Sequence, residues 1–276
     1  MSPTYLRMEG NMRSPIKWVG GKYKLAKHLV SIIPPHEGYV EVFGGAGWVL
    51  FAKPTSKWEV LNDLDNNLFN FWHVIRNQKE EFIKSFQYEI ISRTSFNNYK
   101  QIYKSNSYKD SIEKAHILYY LLEAGIGASL PDGGGSGFGA AKDRSRLRLD
   151  KLPDDIEKAY DRLINVTIEC KDFREIIKFY DSHTTFFYLD PPYRNTRRTS
   201  YPVGNFTDKD YEDLYLLCKD IKGKFLLTLN NDPFIQSLFS EFTILDKRVY
   251  YNVSTSNKGR GDFSELIILN YSQCYS

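Results

Sequence analysis

Apolar and polar positions along this chain follow two periods, and the switches between them mark its elements. Short runs rich in β-branched, aromatic and aliphatic residues recur at 39–43, 58–61, 165–169, 184–189 and 224–229. Two more, at 242–251 and 265–271, are close enough in sequence to pair antiparallel. The run Thr184-Thr185-Phe186-Phe187-Tyr188-Leu189 carries no charge, the pattern of a strand covered on both faces in a parallel sheet. Elsewhere the spacing lengthens to that of a helix. Leu25, Leu29 and Ile32 mark one helix that Pro34 and Pro35 end, Trp48-Val49-Leu50-Phe51 opens a short one, and 208–221 forms another. The middle of the chain differs. From 68 to 155 no strand alternates with the helices marked by Leu68, Phe71, Trp72, Ile75, Phe82 and Phe86, and then by Ile112, Ala115, Leu118 and Leu122. The pattern predicts an α/β fold with a seven-stranded, mostly parallel sheet. It divides the chain into residues 11–67 and 156–276, with a mainly helical insertion at 68–155 between them.

The residues able to do chemistry fall where strands end. Asp190-Pro191-Pro192-Tyr193 follows the uncharged strand, beyond its carboxyl end, where ligands bind in open α/β sheets. Each proline fixes its own φ and holds the residue before it extended, so the Asp190 carboxylate and the Pro191 carbonyl have little freedom. Two fixed acceptors beside the flat face of Tyr193 suit a planar ring bearing an amino group. Such an amine is a poor nucleophile because its lone pair is delocalised into the ring. Acceptors on its hydrogens favour a more tetrahedral nitrogen with the lone pair freed. The plainer reading is a proline-rich turn with Asp190 as a cap.

The first strand runs into Gly44-Gly45-Ala46-Gly47 before the helix at Trp48, which is the nucleotide-binding layout of strand, glycine turn and helix. The dinucleotide fingerprint is not met, because Trp48, Val49 and Leu50 follow Gly47, so a hydride-transfer cofactor has weak support. Asp63 ends the second strand, about 20 residues past the turn, where an acid binds ribose hydroxyls. Asp65 is placed to cap a helix starting near Asn66. Trp18-Val19-Gly20-Gly21-Lys22 leads into the first helix; alone it reads as an ordinary loop with a packing tryptophan.

Composition narrows the classes. The 276 residues are 42% hydrophobic, enough for one large domain or one domain with an insertion. With 37 basic and 34 acidic residues the net charge is +3, so any basic surface is local. Three distant cysteines argue against a disulfide framework and fit a reducing, cytoplasmic compartment. The five histidines show no metal-ligand spacing with them, and no metal is expected. No uncharged run is long enough to span a bilayer, so no membrane is expected. After a loop with seven glycines between 125 and 139, Arg144, Arg146 and Arg148 alternate with Ser145, Leu147 and Leu149. On a strand this places three arginines on one face; with Lys142 they form the best local basic surface, suited to phosphate or base contact. A charged, solvated edge strand is the commoner explanation. Arg194, Arg197 and Arg198 lie in the loop after Tyr193.

The ordered set Lys17-Trp18-Val19-Gly20-Gly21-Lys22, Phe43-Gly44-Gly45-Ala46-Gly47, Asn62-Asp63, Asp172-Phe173, Asp190-Pro191-Pro192-Tyr193, Asn205-Phe206-Thr207 and Glu265-Leu266-Ile267-Ile268-Leu269-Asn270 resembles the Dam-like adenine-N6 DNA methyltransferases. The resemblance implies a Rossmann-like class I methyltransferase sheet with an inserted target-recognition domain. It also implies S-adenosyl-L-methionine as methyl donor and double-stranded DNA as partner, and it admits a cognate restriction endonuclease. Carried over by position, Trp18 and Lys22 contact the cofactor and residues 43–47 line its methionine end. Asp63 holds the ribose, Asp172 and Phe173 meet the adenine, and Asp190 to Tyr193 grip a flipped-out target adenine, with Asp190 also bordering the cofactor. Lys142, Arg144, Arg146, Arg148, Arg194, Arg197 and Arg198 are the expected DNA contacts. Residues 125–148 depart from the recognition hairpin of the GATC-reading members, so the recognition sequence does not carry over. The alternatives are an RNA adenine methyltransferase, or a non-catalytic DNA-binding protein that kept the fold.

Overall fold

The computed structural model describes residues 12–18, 20–127, 130, 137–139, 146–195, 206–251 and 261–272, with only the backbone at 248–251 and 261–264. Its strands are β1 (Gly38–Glu41), β2 (Trp58–Asn62), β3 (Val166–Glu169), β4 (Thr185–Leu189), β5 (Lys224–Asn230), β6 (Thr243–Tyr251) and β7 (Gly261–Leu269). They form one seven-stranded sheet in the order β3-β2-β1-β4-β5-β7-β6. The five strands from β3 to β5 are mutually parallel. β7 runs antiparallel to both β5 and β6, so β6 points the same way as the parallel set.

The chain steps outward from β1 to β2 and β3, then returns to place β4 on the other side of β1. The carboxyl ends of β1 and β4 therefore flank a topological switch point, where connections diverge to opposite sides and leave a crevice. All five residues of β4 are buried, and they alternate between two cores. Phe186 and Tyr188 join Leu226 and Ile267 on one face; Phe187 and Leu189 join Val40, Phe225 and Leu227 on the other.

The second face is covered by α8 (Phe173–Tyr180), α9 (Asp208–Asp220) and α10 (Pro233–Leu238). Toward the first face lie α1 (Ala26–Ser31) and α2 (Trp48–Ala52), followed by five helices inserted between β2 and β3. These five are α3 (Asn66–Asn77), α4 (Lys79–Ser85), α5 (Arg93–Ser105), α6 (Ser111–Ala124) and α7 (Leu152–Leu163). Helix α6 is buried along nearly its whole length, from Ala115 to Ala124, because α3, α4 and α5 pack around it. Its core is continuous with that of the sheet: Phe71, Trp72, Phe82 and Tyr119 belong to the same cluster as Phe186. Asp65 caps α3 by accepting from Asn67 N, as its position in the sequence predicts. No helix among the described residues is long and apolar enough to cross a membrane.

One expectation fails. Among the described residues of the arginine run, 146–150 are bends and a turn, not a strand. Leu147 is drawn into the core, and backbone bonds from Lys151 and Leu152 to the Arg148 carbonyl start α7. Arg148 closes a fork on Asp150, at 2.6 and 2.9 Å. The alternation thus reflects one buried leucine in a helix-entry turn, not a two-faced ribbon. Lys142 and Arg144 lie outside the described residues.

Candidate active site

Parallel pairing of β4 with β5 matches Leu189 with Leu227. One step further along the same register stand Asp190 and Thr228, side by side. Thr228 donates to Asp190 Oδ1 at 2.8 Å, and the Lys22 ammonium lies 2.8 Å from the same oxygen. Oδ2 has no hydrogen bond or ion pair among the described residues. Lys22 is almost wholly buried, donates also to Gly20 O at 3.1 Å, and lies 4.6 Å from the centre of the Tyr193 ring. Burial pushes the Asp190 pKa up, and the charge and hydrogen bonds of Lys22 and Thr228 offset this only in part. The other end of the tetrapeptide is held by Tyr211 of α9, whose hydroxyl donates to the Pro192 carbonyl at 2.5 Å.

The glycine turn forms the second wall. Gly45 (φ 51°) and Gly47 (φ 65°) are left-handed, a conformation that glycine enters without the Cβ penalty. The turn is closed by Gly44 N to Asn62 O (2.7 Å), Gly47 N to Gly44 O (2.6 Å) and Gly45 N to Asp63 Oδ2 (2.7 Å). The other Asp63 oxygen accepts from Asp65 N at 2.9 Å. Burial is the main reason that the Asp63 pKa rises to about 6. Glu41, at the end of β1, accepts from the Tyr39 hydroxyl and from Leu50 N, both at 2.7 Å, and so ties the strand to α2. Its burial carries its pKa up to about 8.

Two tryptophans hold the N-terminal strap against this turn. A Cβ added at Gly45 would stand 2.9 Å from the Trp18 ring, and one at Gly21 would stand 2.5 Å from the Trp48 ring. The strap is also tied to the inserted helices, because Lys17 donates through both its backbone N (3.0 Å) and its Nζ (2.5 Å) to Glu123 of α6. The third wall is aromatic. The rings of Phe43, Phe173 and Phe206 lie 5.5 to 5.8 Å apart, centre to centre. Asp172 caps α8 through Arg174 N (2.8 Å), and the Arg174 guanidinium joins Asp172 to Asp210 and Asp213 of α9.

One cavity connects the three walls. It is lined by Trp18, Lys22, Phe43, Gly44, Gly45, Ala46, Asp63, Asp172, Phe173 and Asp190, which the family resemblance assigned to a cofactor; Gly47, assigned with them, does not line it. Pro192 also lines it, whereas Pro191 and Tyr193 do not. Of the expected basic contacts, Arg194 is engaged within the molecule. It forks onto Asp208 at 2.8 and 3.0 Å, reaches Asp232 at 3.2 Å, and lies 4.7 Å from the Phe234 ring. The Arg146 side chain crosses Gly139. Arg197 and Arg198 lie outside the described residues. Sequence reasoning passed over Glu41, Tyr188, Arg174, Tyr211 and Thr228. Only Glu41 carried a signal, a carboxylate inside the apolar run Tyr39-Val40-Glu41-Val42-Phe43.

The family described as D12 class N6 adenine-specific DNA methyltransferase matches residues 18–253. The chain is 26% identical over 282 residues to the Type II methyltransferase M1.LlaDCHI of Lactococcus lactis subsp. cremoris, covering 95% of this chain and 96% of that one. It is also 26% identical to the Type II methyltransferase M.CviBI of Paramecium bursaria Chlorella virus NC1A, with 94% and 100% covered. To the DNA adenine methylase of Escherichia coli (strain K12) it is 22% identical, with 93% and 95% covered.

Proposed function

The chain belongs to the D12 class of N6 adenine-specific DNA methyltransferases, and from that premise we propose which of its own residues carry the reaction. It is an enzyme that methylates adenine in DNA. Our reading is that S-adenosyl-L-methionine occupies the cavity between the glycine turn, Asp63 and the three phenylalanines, and that a flipped-out adenine enters beside Asp190. The residues present suit that donor. Left-handed Gly45 permits close backbone approach, the phenylalanine rings offer flat apolar faces, and Asp65 borders the cavity with a buried Oδ2 that has no hydrogen-bond partner among the described residues. An acceptor in that state gains from a hydroxyl or ammonium donor. Bound there, S-adenosyl-L-methionine would supply an electrophilic methyl carbon on a sulfonium, with a neutral thioether as its leaving group.

The chain's own residues position the nucleophile. Lys22 and Thr228 occupy Oδ1 of Asp190, which leaves Oδ2 to accept one hydrogen of the adenine amine. The Pro191 carbonyl takes the other, and the Tyr193 ring supports the base. Lys22 also favours the ionised form of Asp190, the form that accepts. The amine proton is released to solvent after transfer. Such a site works by orientation and preorganised electrostatics. Extruding the base from a duplex costs roughly a few kcal/mol, which basic residues of the insertion and of the loop after Tyr193 offset through phosphate contacts. We assign that role to Lys142, Arg144, Arg146, Arg148, Arg197 and Arg198. Arg194 instead braces the loop against α9 and α10. Residues 68–155, which hold α4, α5 and α6 with parts of α3 and α7, we read as the target-recognition insertion.

The observation that carries this reading is the asymmetric Asp190 carboxylate, pinned on one oxygen and open on the other. Its test uses methyl-labelled S-adenosyl-L-methionine with unmethylated, mixed-sequence duplex DNA, digested to nucleosides and analysed by mass. Labelled N6-methyladenine is expected. Label in RNA adenine alone, or in no nucleoside while the donor binds, overturns the assignment.

A further inference from the structure

Thr228 stands at a place in β5 where an apolar side chain would serve the fold equally well. It is fully buried, and it follows Leu226 on the sheet face that carries Phe186, Tyr188 and Ile267. Valine has nearly the same shape and is the usual occupant of such a site, whereas a buried hydroxyl costs free energy unless it is hydrogen-bonded. The hydroxyl therefore needs an explanation, and the structure gives it three polar neighbours. Tyr188 lies with its own hydroxyl 3.3 Å from Thr228 Oγ1, and Thr228 Oγ1 lies 2.8 Å from Asp190 Oδ1 and 3.4 Å from Leu189 O. A hydroxyl has one hydrogen. The shortest contact, to a carboxylate, takes it, and the Tyr188 hydroxyl then donates to Thr228. The result is a buried chain, Tyr188 to Thr228 to Asp190, in which each donor polarises the next.

Building on the reading above, we infer that Thr228 is a positioning residue for methyl transfer. Through its hydroxyl it turns the Asp190 carboxylate so that Oδ1 faces the sheet and Oδ2 faces the target amine. Lys22 alone does not fix this orientation. It approaches the same Oδ1, but an ammonium is a point charge with three donors and no fixed plane, so it sets no direction for the carboxylate. The hydroxyl is different, because Thr228 is held by the strand register and by a stiff β-branched side chain. Rotation of Asp190 about its side-chain bonds would break a hydrogen bond whose donor cannot follow. The contact also steadies the ionised form, and without it the carboxyl takes up a proton at higher pH.

The test compares Thr228→Val, which removes the hydroxyl and keeps the shape, with Thr228→Ser, which keeps the hydroxyl. Single-turnover transfer is measured with saturating labelled S-adenosyl-L-methionine and mixed-sequence duplex DNA, across pH. Thr228→Val is expected to be about tenfold slower, the scale of losing one oriented, charge-assisted contact. Its donor affinity should stay within about twofold, and the acid limb of its pH profile should move to higher pH. Thr228→Ser should recover most of the rate and the original limb. In parallel, the Asp190 carboxyl is titrated by 13C NMR in the ligand-free protein, with Asp190→Asn for assignment. Thr228→Val should raise its midpoint and Thr228→Ser should not. Equal rates and unmoved titrations in Thr228→Val overturn the inference alone. Equal losses in both variants also overturn it, since they assign the effect to packing. A wild-type protein that puts no label into DNA adenine overturns the functional reading beneath it.

Discussion

Two buried lysines pair with carboxylates at opposite ends of the same sheet. Lys22 and Asp190 meet beyond its carboxyl end at 2.8 Å; Lys53 and Glu59 meet near its amino end at 2.5 Å. The two lysines are equally hidden, with side chains 3% and 2% exposed. Their surroundings separate them. Glu59 is held on both oxygens by Arg162 and also accepts from Lys53 and Ser56 N. Lys53 donates to Pro54 O and Ser56 Oγ as well. Burial alone would raise the Glu59 pKa, but Arg162 and Lys53 outweigh it and carry it below its ordinary value. Burial carries Lys53 down to about 8. At the other end the balance reverses: Asp190 stays raised, one oxygen lacks a partner among the described residues, and a cavity adjoins it. Burial of an ion pair thus does not mark a reactive site. Incomplete pairing beside a cavity does, because the missing partner is what a ligand supplies.

The contrast breaks most sharply at Asp190. Asp190→Ala should cost about a thousandfold in methyl transfer while donor affinity stays within about threefold; a variant within tenfold of wild type would remove this carboxylate from the reaction. At the closed end the effect should fall on stability. Arg162→Met leaves Glu59 half-paired and should destabilise the fold by about 3–5 kcal/mol in urea unfolding, with turnover of the folded fraction unchanged. Loss of turnover without loss of stability would erase the distinction between the two ends.

Glu41 sharpens it through pH. Its pKa rises from an ordinary 4.5 to about 8 on folding. Across that window the folded chain holds a proton that the unfolded chain has released, so this group's contribution to stability falls as pH rises. Glu41→Gln should flatten that fall, measured as unfolding midpoints between about pH 5 and pH 8; an unchanged slope would locate the proton elsewhere. The smallest effect belongs to an exposed pair. Lys17→Ala removes an ammonium that is half in solvent and should cost no more than about 1 kcal/mol. A larger loss would mean that the grip of α6 on the N-terminal strap is worth more than an exposed ion pair.

Much of the sheet is legible in the sequence because strand signals are local. The uncharged run ending at Leu189, the glycine turn after β1 and the cap at Asp65 each depend on neighbours a few residues away. Thr228 and Tyr211 were illegible for the opposite reason. Each acts on the Asp190 to Tyr193 turn from an element whose position only strand order and helix packing decide. Lys22 sits in a legible motif, yet its pairing with Asp190 joins two distant segments that no spacing rule connects. The arginine run misled because period-two alternation has more than one cause. Leu147 alternates with arginines on the way into α7 without any partner strand among the described residues.

The crossed contacts of Trp18 with Gly45 and of Trp48 with Gly21 have a consequence for how this sequence can change over time. At Gly21 the Trp48 indole fills the space of a side chain; at Gly45 the Trp18 indole does so and the left-handed backbone also favours glycine. A single replacement at Gly21 or Gly45 meets a ring, and a single loss of either tryptophan opens a void over the turn. The four positions therefore form one epistatic unit joining two segments. Viable descendants keep the left-handed Gly45 and exchange Gly21 only together with Trp48. Among diverged relatives, co-variation should link residues 21 with 48 more tightly than it links neighbours within either segment.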